Sequence, residues 1–566
     1  MRMVLRNLCA FLIVLNIMLP SIAGAQLPKS IIVDPHNPAW FVYNRDVNRD
    51  GELDPFYMCG PGDPEGFLYR GVRKPDGIRD GDQEALIDKM AQYGGNCVYV
   101  MAVRTHGGDA WKDLRDDPAV YPDDLHNPWI EQDPGRGLNT NILDQWDEWF
   151  TRLDENGITT VFFIYDDAIK IAKQFGWDLD ASGNLHPGEK AFIQSLVNRF
   201  KHHKHLIWCV MEEGQELGPD WRNHVSKIAV AIRETDEYSH PIATHQLRGN
   251  LFFHADDPVI DQFAIQSDHT KVETLADFRN WMLTCWENAG GRYNLNMAEC
   301  FSHRDLMEKG EYSMVRKYNW TAAMSGAYVM AIGMDIANTP PSVLQDCRRL
   351  QQFFESTDFN RMSPEPKLAL TPNEFILAQP GRSYIVYSPS AGERFGMQSL
   401  AKGRYRLRWL DCVRGVEVVT ENVQVAGGQV KWAVPAQFGE EVVLYIQRLD
   451  VPAVSHTIPQ QPVNAPSSGA AKSQVNLPAV AHDSEVDIIA GEETYVQLHF
   501  VDDDGGPGPY TFTISVDPKH GKIRGVGNDL FYTPNPNYVG QDEIVWKVND
   551  GQDDSNTARL VLKVSQ

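Results

Sequence analysis

Three glutamates stand at the ends of apolar runs in this sequence. The run "LIWCVMEE" (206–213) ends in Glu212 and Glu213, and "NLNMAEC" (294–300) carries Glu299. Two carboxyl groups that face a common centre can divide the chemical work, because one donates a proton while the other attacks or stabilises a developing positive charge. Cleavage of a glycosidic bond requires this pair of roles and no cofactor.

Strand alternation bears on which of the two adjacent glutamates is the acid. Successive side chains of a strand point to opposite faces, so Glu212 and Glu213 cannot both face the same centre. Glu213 shares its parity with Met211, whereas Glu212 shares it with Trp208, whose bulk suits packing against helices. Alternation therefore favours Glu213 over Glu212 as the acid, with Glu299 as the second carboxylate of the pair. The alternative, in which these acids are surface charges or partners of arginines, stays open.

The elements that would position these acids are short apolar runs, which are nearly continuous in hydrophobicity. Such runs are typical of parallel strands that are covered on both faces. Eight of them lie between residues 55 and 336: "PFYMCG" (55–60), "NCVYVMAVR" (96–104), "TTVFFIYDD" (159–167), "LIWCVMEE" (206–213), "PIATHQL" (241–247), "DQFAIQSD" (261–268), "NLNMAEC" (294–300) and "GAYVMAIG" (326–333).

Helical patterns separate these runs. The segment 141–157 places apolar residues such as Ile142, Trp146 and Trp149 at helical spacing and stops at Gly157. Eight strand and helix units predict a (β/α)8 TIM barrel, assigned to residues 36–360. A doubly wound open sheet is the alternative, but no GxGxxG follows an early run.

A barrel of this kind builds its pocket at the carboxyl ends of its strands. Polar residues near the ends of the predicted strands are therefore candidate substrate ligands. They are Arg104, His106, Asp166, Asp167, Glu212, His245, Gln266 and Tyr293. Three loop tryptophans, Trp111, Trp129 and Trp286, are suited either to stacking on sugars or to ordinary packing.

The sequence pattern changes after Pro364, from continuous apolar runs to runs that alternate apolar and polar residues. Alternating runs such as "GRYRLRWLD" and "EVVLYIQR" predict an antiparallel β-domain at 365–450. A stretch rich in Pro, Ser, Gln and Ala (451–474) reads as a linker. Alternation resumes at 475–566, which predicts an immunoglobulin-like β-sandwich.

The first 25 residues carry two arginines, an apolar run and Ala-Gly-Ala, the pattern of a secretory signal peptide. The mature protein is therefore expected to be secreted: extracellular, periplasmic or at the cell surface. No later segment is long and apolar enough to span a membrane.

The formal charge of −24 argues against nucleic acid or an anionic membrane as partner. Apart from Cys9, the cysteines show no CxxC spacing and are expected to be mostly buried.

Two segments resemble metal sites. "DVNRDGELD" (46–54) begins like a calcium loop, with Asp46, Asn48, Asp50 and Asp54 as ligands of a structural calcium, and a plain Asx-rich turn is the alternative. "KHHKH" (201–205) lies at the end of a predicted helix, where positive charge complements the helix dipole. The dipole accounts for this tract without a metal.

Sequence motifs also resemble a known family. "LIWCVMEE" and "NLNMAEC" look like the fourth and seventh strands of clan A glycoside hydrolases, which carry the acid/base and the nucleophile. "FYMCGPGDPEGFLYRG" and the β-domain resemble apiosidase-like members with a C-terminal collagen-binding type of domain, over roughly residues 36–450. The resemblance places the acid at Glu213, although the family usually has Gly-Asp or Asn before that acid, where this chain has Glu212. "YTPNPNYVGQDEIVWKVNDG" is similar to bacterial cadherin-like and immunoglobulin-like repeats.

Together these features predict a secreted glycoside hydrolase that acts on polysaccharides or oligosaccharides by a retaining mechanism. The C-terminal domain would tether it to a cell surface or matrix. The alternative is a non-catalytic carbohydrate-binding or matrix-binding protein built on the same barrel.

Overall fold

The computed structural model describes fourteen stretches of the chain. These are residues 30–46, 53–62, 66–104, 126–166, 175–217, 221–246, 249–250, 252–267, 274–332, 334–451, 478–491, 494–501, 511–526 and 529–565. The predicted signal peptide lies outside them. No helix within these stretches has the length and apolar character needed to cross a membrane.

The central element is a barrel-like sheet of eight parallel strands. A hairpin of β1 (Ile31–Val33) and β2 (Phe41–Tyr43) precedes it. The barrel strands are β3 (Cys59–Gly62), β4 (Cys97–Val103), β5 (Thr159–Tyr165), β6 (Leu206–Met211), β7 (Ile242–His245), β8 (Gln262–Gln266), β9 (Asn294–Glu299) and β10 (Ala327–Ile332). From β4 to β10, strands that are consecutive in the chain are neighbours in the sheet, and β10 also pairs with β3. The predicted TIM barrel is confirmed, and the doubly wound sheet is excluded.

Eight described helices accompany these strands. They are α1 (Gln83–Tyr93), α2 (Thr140–Glu155), α3 (Pro187–Phe200), α4 (Trp221–Thr235), α5 (Leu275–Ala289), α6 (Phe301–Glu308), α7 (Tyr312–Met324) and α8 (Pro341–Glu355). Helix α2 shows why these segments fold as they do. Asn139 caps it by accepting a hydrogen bond from the Asn141 backbone, and its buried stripe includes the predicted Ile142, Trp146 and Trp149.

The amino end of the barrel is closed by the first hairpin region. Trp40 is fully buried and packs against Trp286 and Tyr328, with ring centroids 5.9 and 5.7 Å apart. Asn294, the first residue of β9, donates from Nδ2 to the Ala39 carbonyl at 2.9 Å. Because this region covers the amino end of the barrel, a functional site is expected at the opposite end, where the strands end.

A β-domain follows the barrel. Its strands are β11 (Ser363–Pro364), β12 (Phe375–Gln379), β13 (Ser383–Ser388), β14 (Arg394–Leu400), β15 (Gly403–Asp411), β16 (Glu417–Val425), β17 (Gly428–Ala433) and β18 (Val442–Arg448). They pair antiparallel around a core that includes Phe395, Tyr405 and Trp409. The domain docks on the barrel helices: Arg316 of α7 binds Glu441, with Nη2 and Oε2 2.9 Å apart.

The tail forms a separate set of β-sheets. Its strands are β19 (Val480–His482), β20 (Ser484–Ile489), β21 (Thr494–Gln497), β22 (His499–Val501), β23 (Thr511–Val516), β24 (Gly521–Val526), β25 (Asp529–Pro534), β26 (Gly540–Asn549) and β27 (Ala558–Ser565). The core contains Trp546, Tyr532, Leu560 and Leu562. This arrangement confirms the immunoglobulin-like prediction.

The cysteines behave as the sequence predicts. All seven cysteines from Cys59 to Cys412 are buried, and none forms a disulfide within the described chain. Burial raises the pKa of the Cys97 and Cys285 thiols well above the usual value, so both stay protonated.

Candidate active site

Glu299 occupies the carboxyl end of β9 and is the best-supported catalytic candidate in the barrel. Its side chain is buried, 7% exposed. A register shift between β8 and β9 pairs Ile265 with Met297 and then Gln266 with Glu299, so one residue of β9 is passed over. Gln266 Nε2 consequently donates to Glu299 Oε2 at 2.7 Å. This hydrogen bond holds the carboxylate in one orientation.

His245 ends β7, which neighbours β8 in the sheet, and its side chain lies near Glu299. Its Nε2 lies 3.7 Å from Glu299 Oε2. Burial lowers the pKa of His245 to about 3, because the apolar surroundings disfavour the charged imidazolium. The imidazole is therefore neutral near pH 7, so it can donate or accept a hydrogen bond without placing a cation beside the carboxylate.

Arg104 and Asp166 form a second polar pair at the ends of β4 and β5. Arg104 Nε lies 3.9 Å from Asp166 Oδ2, and both side chains are almost fully buried. The Arg104 backbone N–H donates to the His126 carbonyl at 2.8 Å, which brings His126 to this strand end. The sequence offers no signal for His126, because it enters from a loop rather than from a strand.

Glu212 and Glu213 directly follow Met211, the last residue of β6. Glu212 is 7% exposed, and Glu213 has a left-handed backbone, φ 43°. Trp208 faces outward as alternation predicts, since its Nε1 donates to Asp236 Oδ2 at 2.8 Å. The regular strand ends before the two glutamates, however, so alternation cannot choose between them. A non-glycine residue held at positive φ is a known feature of functional sites, and it draws attention to Glu213.

The structure corrects the prediction for Tyr293. This residue precedes β9 and so lies at the amino end of the strand, about 20 Å of extended chain from Glu299. Its ring packs on Phe252 at 4.4 Å, with the Arg292 guanidinium 5.4 Å from its centroid. The prediction was wrong because the chain enters β9 at Tyr293, whereas the pocket of a barrel lies at the ends where its strands leave.

Two of the three tryptophans that were expected in loops are packing residues, and Trp286 lies within α5 and not in a loop. Trp129 is buried against Phe192, with centroids 5.3 Å apart, and Trp286 packs on Trp40 at the amino end of the barrel. Three other predicted site residues lie outside the described residues. They are His106, Asp167 and Trp111.

The calcium site remains a prediction. Asn48 and Asp50 lie outside the described residues, while Asp46 and Asp54 lie inside them. Asp54 Oδ2 is 2.7 Å from Arg45 Nε, so an arginine already neutralises one of the four expected ligands.

Comparisons with known proteins agree with this geometry. Residues 80–334 match the family model described as Apiosidase-like, catalytic domain, and residues 476–563 match the Bacterial Ig domain. No curated protein matches the chain.

Among solved structures, a glycoside hydrolase family 5 protein from Bacteroides vulgatus ATCC 8482 is 12% identical with a TM-score of 0.53, covering 74% of this chain and 93% of that chain. Another, described as a glycoside hydrolase, is 11% identical with a TM-score of 0.50 and covers 75% and 99%. At these identities the structural likeness shows the fold. The sequence matches show an apiosidase-like catalytic domain in the barrel and a bacterial Ig domain in the tail.

Proposed function

We propose that this protein is a secreted, retaining glycoside hydrolase that cleaves O-glycosidic bonds in polysaccharides or oligosaccharides. The observation that carries the proposal is the Glu299 carboxylate, which is buried at the carboxyl end of β9 and held by Gln266 at 2.7 Å. It lies within the segment that matches the apiosidase-like catalytic domain. A fixed carboxylate at this end of a barrel suits a nucleophile.

In the proposed reaction, Glu299 attacks the anomeric carbon while the acid donates its proton to the leaving oxygen. A covalent glycosyl–enzyme ester forms, and the glycosidic bond breaks. The deprotonated acid then takes a proton from water, whose oxygen attacks the same carbon and releases Glu299. Both Glu212 and Glu213 follow β6 directly and are candidates for the acid/base. We assign this role to Glu213, because the sequence resemblance places the acid there and its backbone has a positive φ of 43°. Glu212 is the alternative.

The other strand-end residues have binding roles in this proposal. A neutral His245 can hydrogen-bond a sugar hydroxyl in either direction. The buried Arg104 and Asp166 pair offers both donors and acceptors to further hydroxyl groups. No cofactor is needed for this chemistry.

The proposal that the protein is secreted rests on the signal pattern of residues 1–25, and the Ig domain would serve to place or tether the enzyme.

The first test replaces Glu299 with Gln, which is nearly isosteric, and measures hydrolysis of a panel of plant and algal polysaccharides. The parent should hydrolyse at least one of them, Glu299→Gln should be inactive with unchanged thermal unfolding, and the exposed Glu311→Gln should match the parent. Near-normal turnover in Glu299→Gln would remove Glu299 as nucleophile. Binding of a polysaccharide without hydrolysis by the parent would favour the rival carbohydrate-binding protein.

The second test separates Glu212 from Glu213. Once a substrate is known, Glu213→Gln should lose most activity on sugars with poor leaving groups and keep more on activated aryl glycosides, which need little protonation. Glu212→Gln is the matched comparison, and that pattern in Glu212→Gln alone would transfer the role to Glu212. Proton NMR of the first anomer released should show retention, whereas inversion would contradict the covalent step.

A further inference from the structure

A cluster of two histidines and one aspartate lies away from the strand ends that form the candidate active site. Asp147 belongs to α2, while His202 and His203 lie in the turn between α3 and β6. Asp147 Oδ1 is 3.3 Å from His202 Nε2 and 2.9 Å from His203 Nε2. All three ligand atoms lie within 4.8 Å of one another.

We propose that Asp147, His202 and His203 bind a divalent transition-metal ion of the zinc type, with water as the fourth ligand. Zinc bonds to imidazole nitrogen and carboxylate oxygen are about 2.0–2.2 Å long, so neighbouring ligands of a tetrahedral ion stand about 3.3–3.5 Å apart. The separations around Asp147 Oδ1 are already close to this value. Two imidazoles select such ions over calcium or magnesium, which prefer oxygen ligands.

The surroundings of His203 resemble those of a metal-binding histidine. Its other ring nitrogen, Nδ1, is 3.4 Å from Asp154 Oδ2. When a metal occupies Nε2, a carboxylate at that position can accept the Nδ1 proton and orient the ring, as carboxylates beside metal-binding histidines do. The buried ring is held between Phe150 and Phe200, with centroids 5.6 and 6.2 Å away. The ligand is therefore preorganised.

The second histidine leaves the cluster open to solvent. The His202 side chain is 51% exposed, so a metal ion and its water have access. Arg199 Nη2 occupies the other oxygen of Asp147 at 3.0 Å and leaves Oδ1 for the ion.

Hydrogen bonding alone is the competing account. In the metal-free protein, hydrogen bonds must join Asp147 Oδ1 to the Nε2 atoms of the two histidines. A metal ion would replace the protons of these hydrogen bonds. Metal binding should therefore release protons and weaken in acid. The helix dipole explains the basic character of the tract, but it does not explain why both Nε2 atoms converge on one carboxylate oxygen.

The experiment titrates the full-length protein with zinc chloride by calorimetry, after removal of metals with a chelator. His202→Gln should weaken one binding event about tenfold or more, because one of three protein ligands is lost. His482→Gln, which changes an exposed histidine in the tail, is the matched control and should bind like the parent. His202 is exposed, so its variant should unfold at the parent temperature in chelator.

Cobalt(II) provides a second readout that does not depend on hydrolysis. The parent should give the visible absorption of a tetrahedral cobalt site, and His202→Gln should lose it. The parent should also gain thermal stability with zinc, since the ion joins α2 to the turn before β6. Equal zinc affinity in the parent and His202→Gln, or no binding by the parent at millimolar zinc, would overturn the proposal. Neither result would affect the assignment of Glu299.

Discussion

Replacing Glu355 with Gln should change how the stability of the barrel depends on pH. Glu355 is the last residue of α8 and accepts hydrogen bonds from the Tyr57 backbone N–H at 3.1 Å and the Tyr43 hydroxyl at 3.3 Å. Burial raises the pKa of its carboxyl from 4.5 to about 7, against the opposing effect of these hydrogen bonds and of Arg45. The folded protein therefore holds a proton that the unfolded chain releases above about pH 4.5.

The sign and size of the effect follow from this difference. Below about pH 4.5 the Glu355 carboxyl is protonated in both the folded and the unfolded state, so it does not lower the free energy of unfolding. Between pH 4.5 and 7 the unfolded state gains by releasing the proton, so stability falls as pH rises, and the loss is complete above about pH 7. Each pKa unit corresponds to about 1.36 kcal/mol, which gives about 3 kcal/mol for full burial. Partial exposure of the side chain reduces our expectation to about 2 kcal/mol.

Urea unfolding monitored by tryptophan fluorescence at pH 5 and pH 8 measures this contribution. Glu355→Gln cannot ionise, so the stability that the parent loses between the two pH values should shrink by about 2 kcal/mol in the variant. The exposed Glu311→Gln should keep the profile of the parent. Parallel profiles for Glu355→Gln and the parent would refute the reasoning and would mean that the carboxylate is fully stabilised by its donors.

Three further outcomes are expected. Arg316→Met should destabilise the junction of the barrel and the β-domain by about 3–5 kcal/mol in urea unfolding, because it leaves the Glu441 carboxylate buried without its bidentate partner. Gly326→Ala should cost at least about 2 kcal/mol in the same assay, since φ is +96° and a Cβ would overlap the Trp286 ring. A chain truncated after Asp450 should keep its cooperative unfolding and its activity on soluble substrate, and loss of either would show that the barrel depends on the tail.

The barrel could be predicted because its strands are simple to recognise. In β4, β5, β6, β8 and β9 every residue is buried, so each reads as a continuous apolar run rather than an alternating one. Helices such as α2 show their buried stripe at regular spacing. Both signals are local, and chain order then sets the neighbours in a singly wound barrel.

The candidate site was predictable only in part. Glu299, Gln266 and His245 end neighbouring strands, and strand ends can be located from sequence. The register shift that pairs Gln266 with Glu299 depends on the backbone of both strands and has no local signature. The same limit applies to Asp147 and His203, whose contact joins residues far apart in the chain. The histidine tract alone therefore favoured a helix-dipole interpretation.

The charge balance around Glu299 supports a nucleophilic role in the proposed reaction. Gln266 contributes a donated hydrogen bond but no charge, and His245, whose pKa burial lowers to about 3, contributes none near neutral pH. A cationic neighbour in the same place would hold the carboxylate in an ion pair and reduce its nucleophilicity. Gln266 orients the Glu299 carboxylate and neither Gln266 nor His245 places a positive charge on it, which suits a carboxylate that offsets the positive charge developing on the sugar ring. The burial that keeps His245 neutral would thus also help to keep Glu299 reactive.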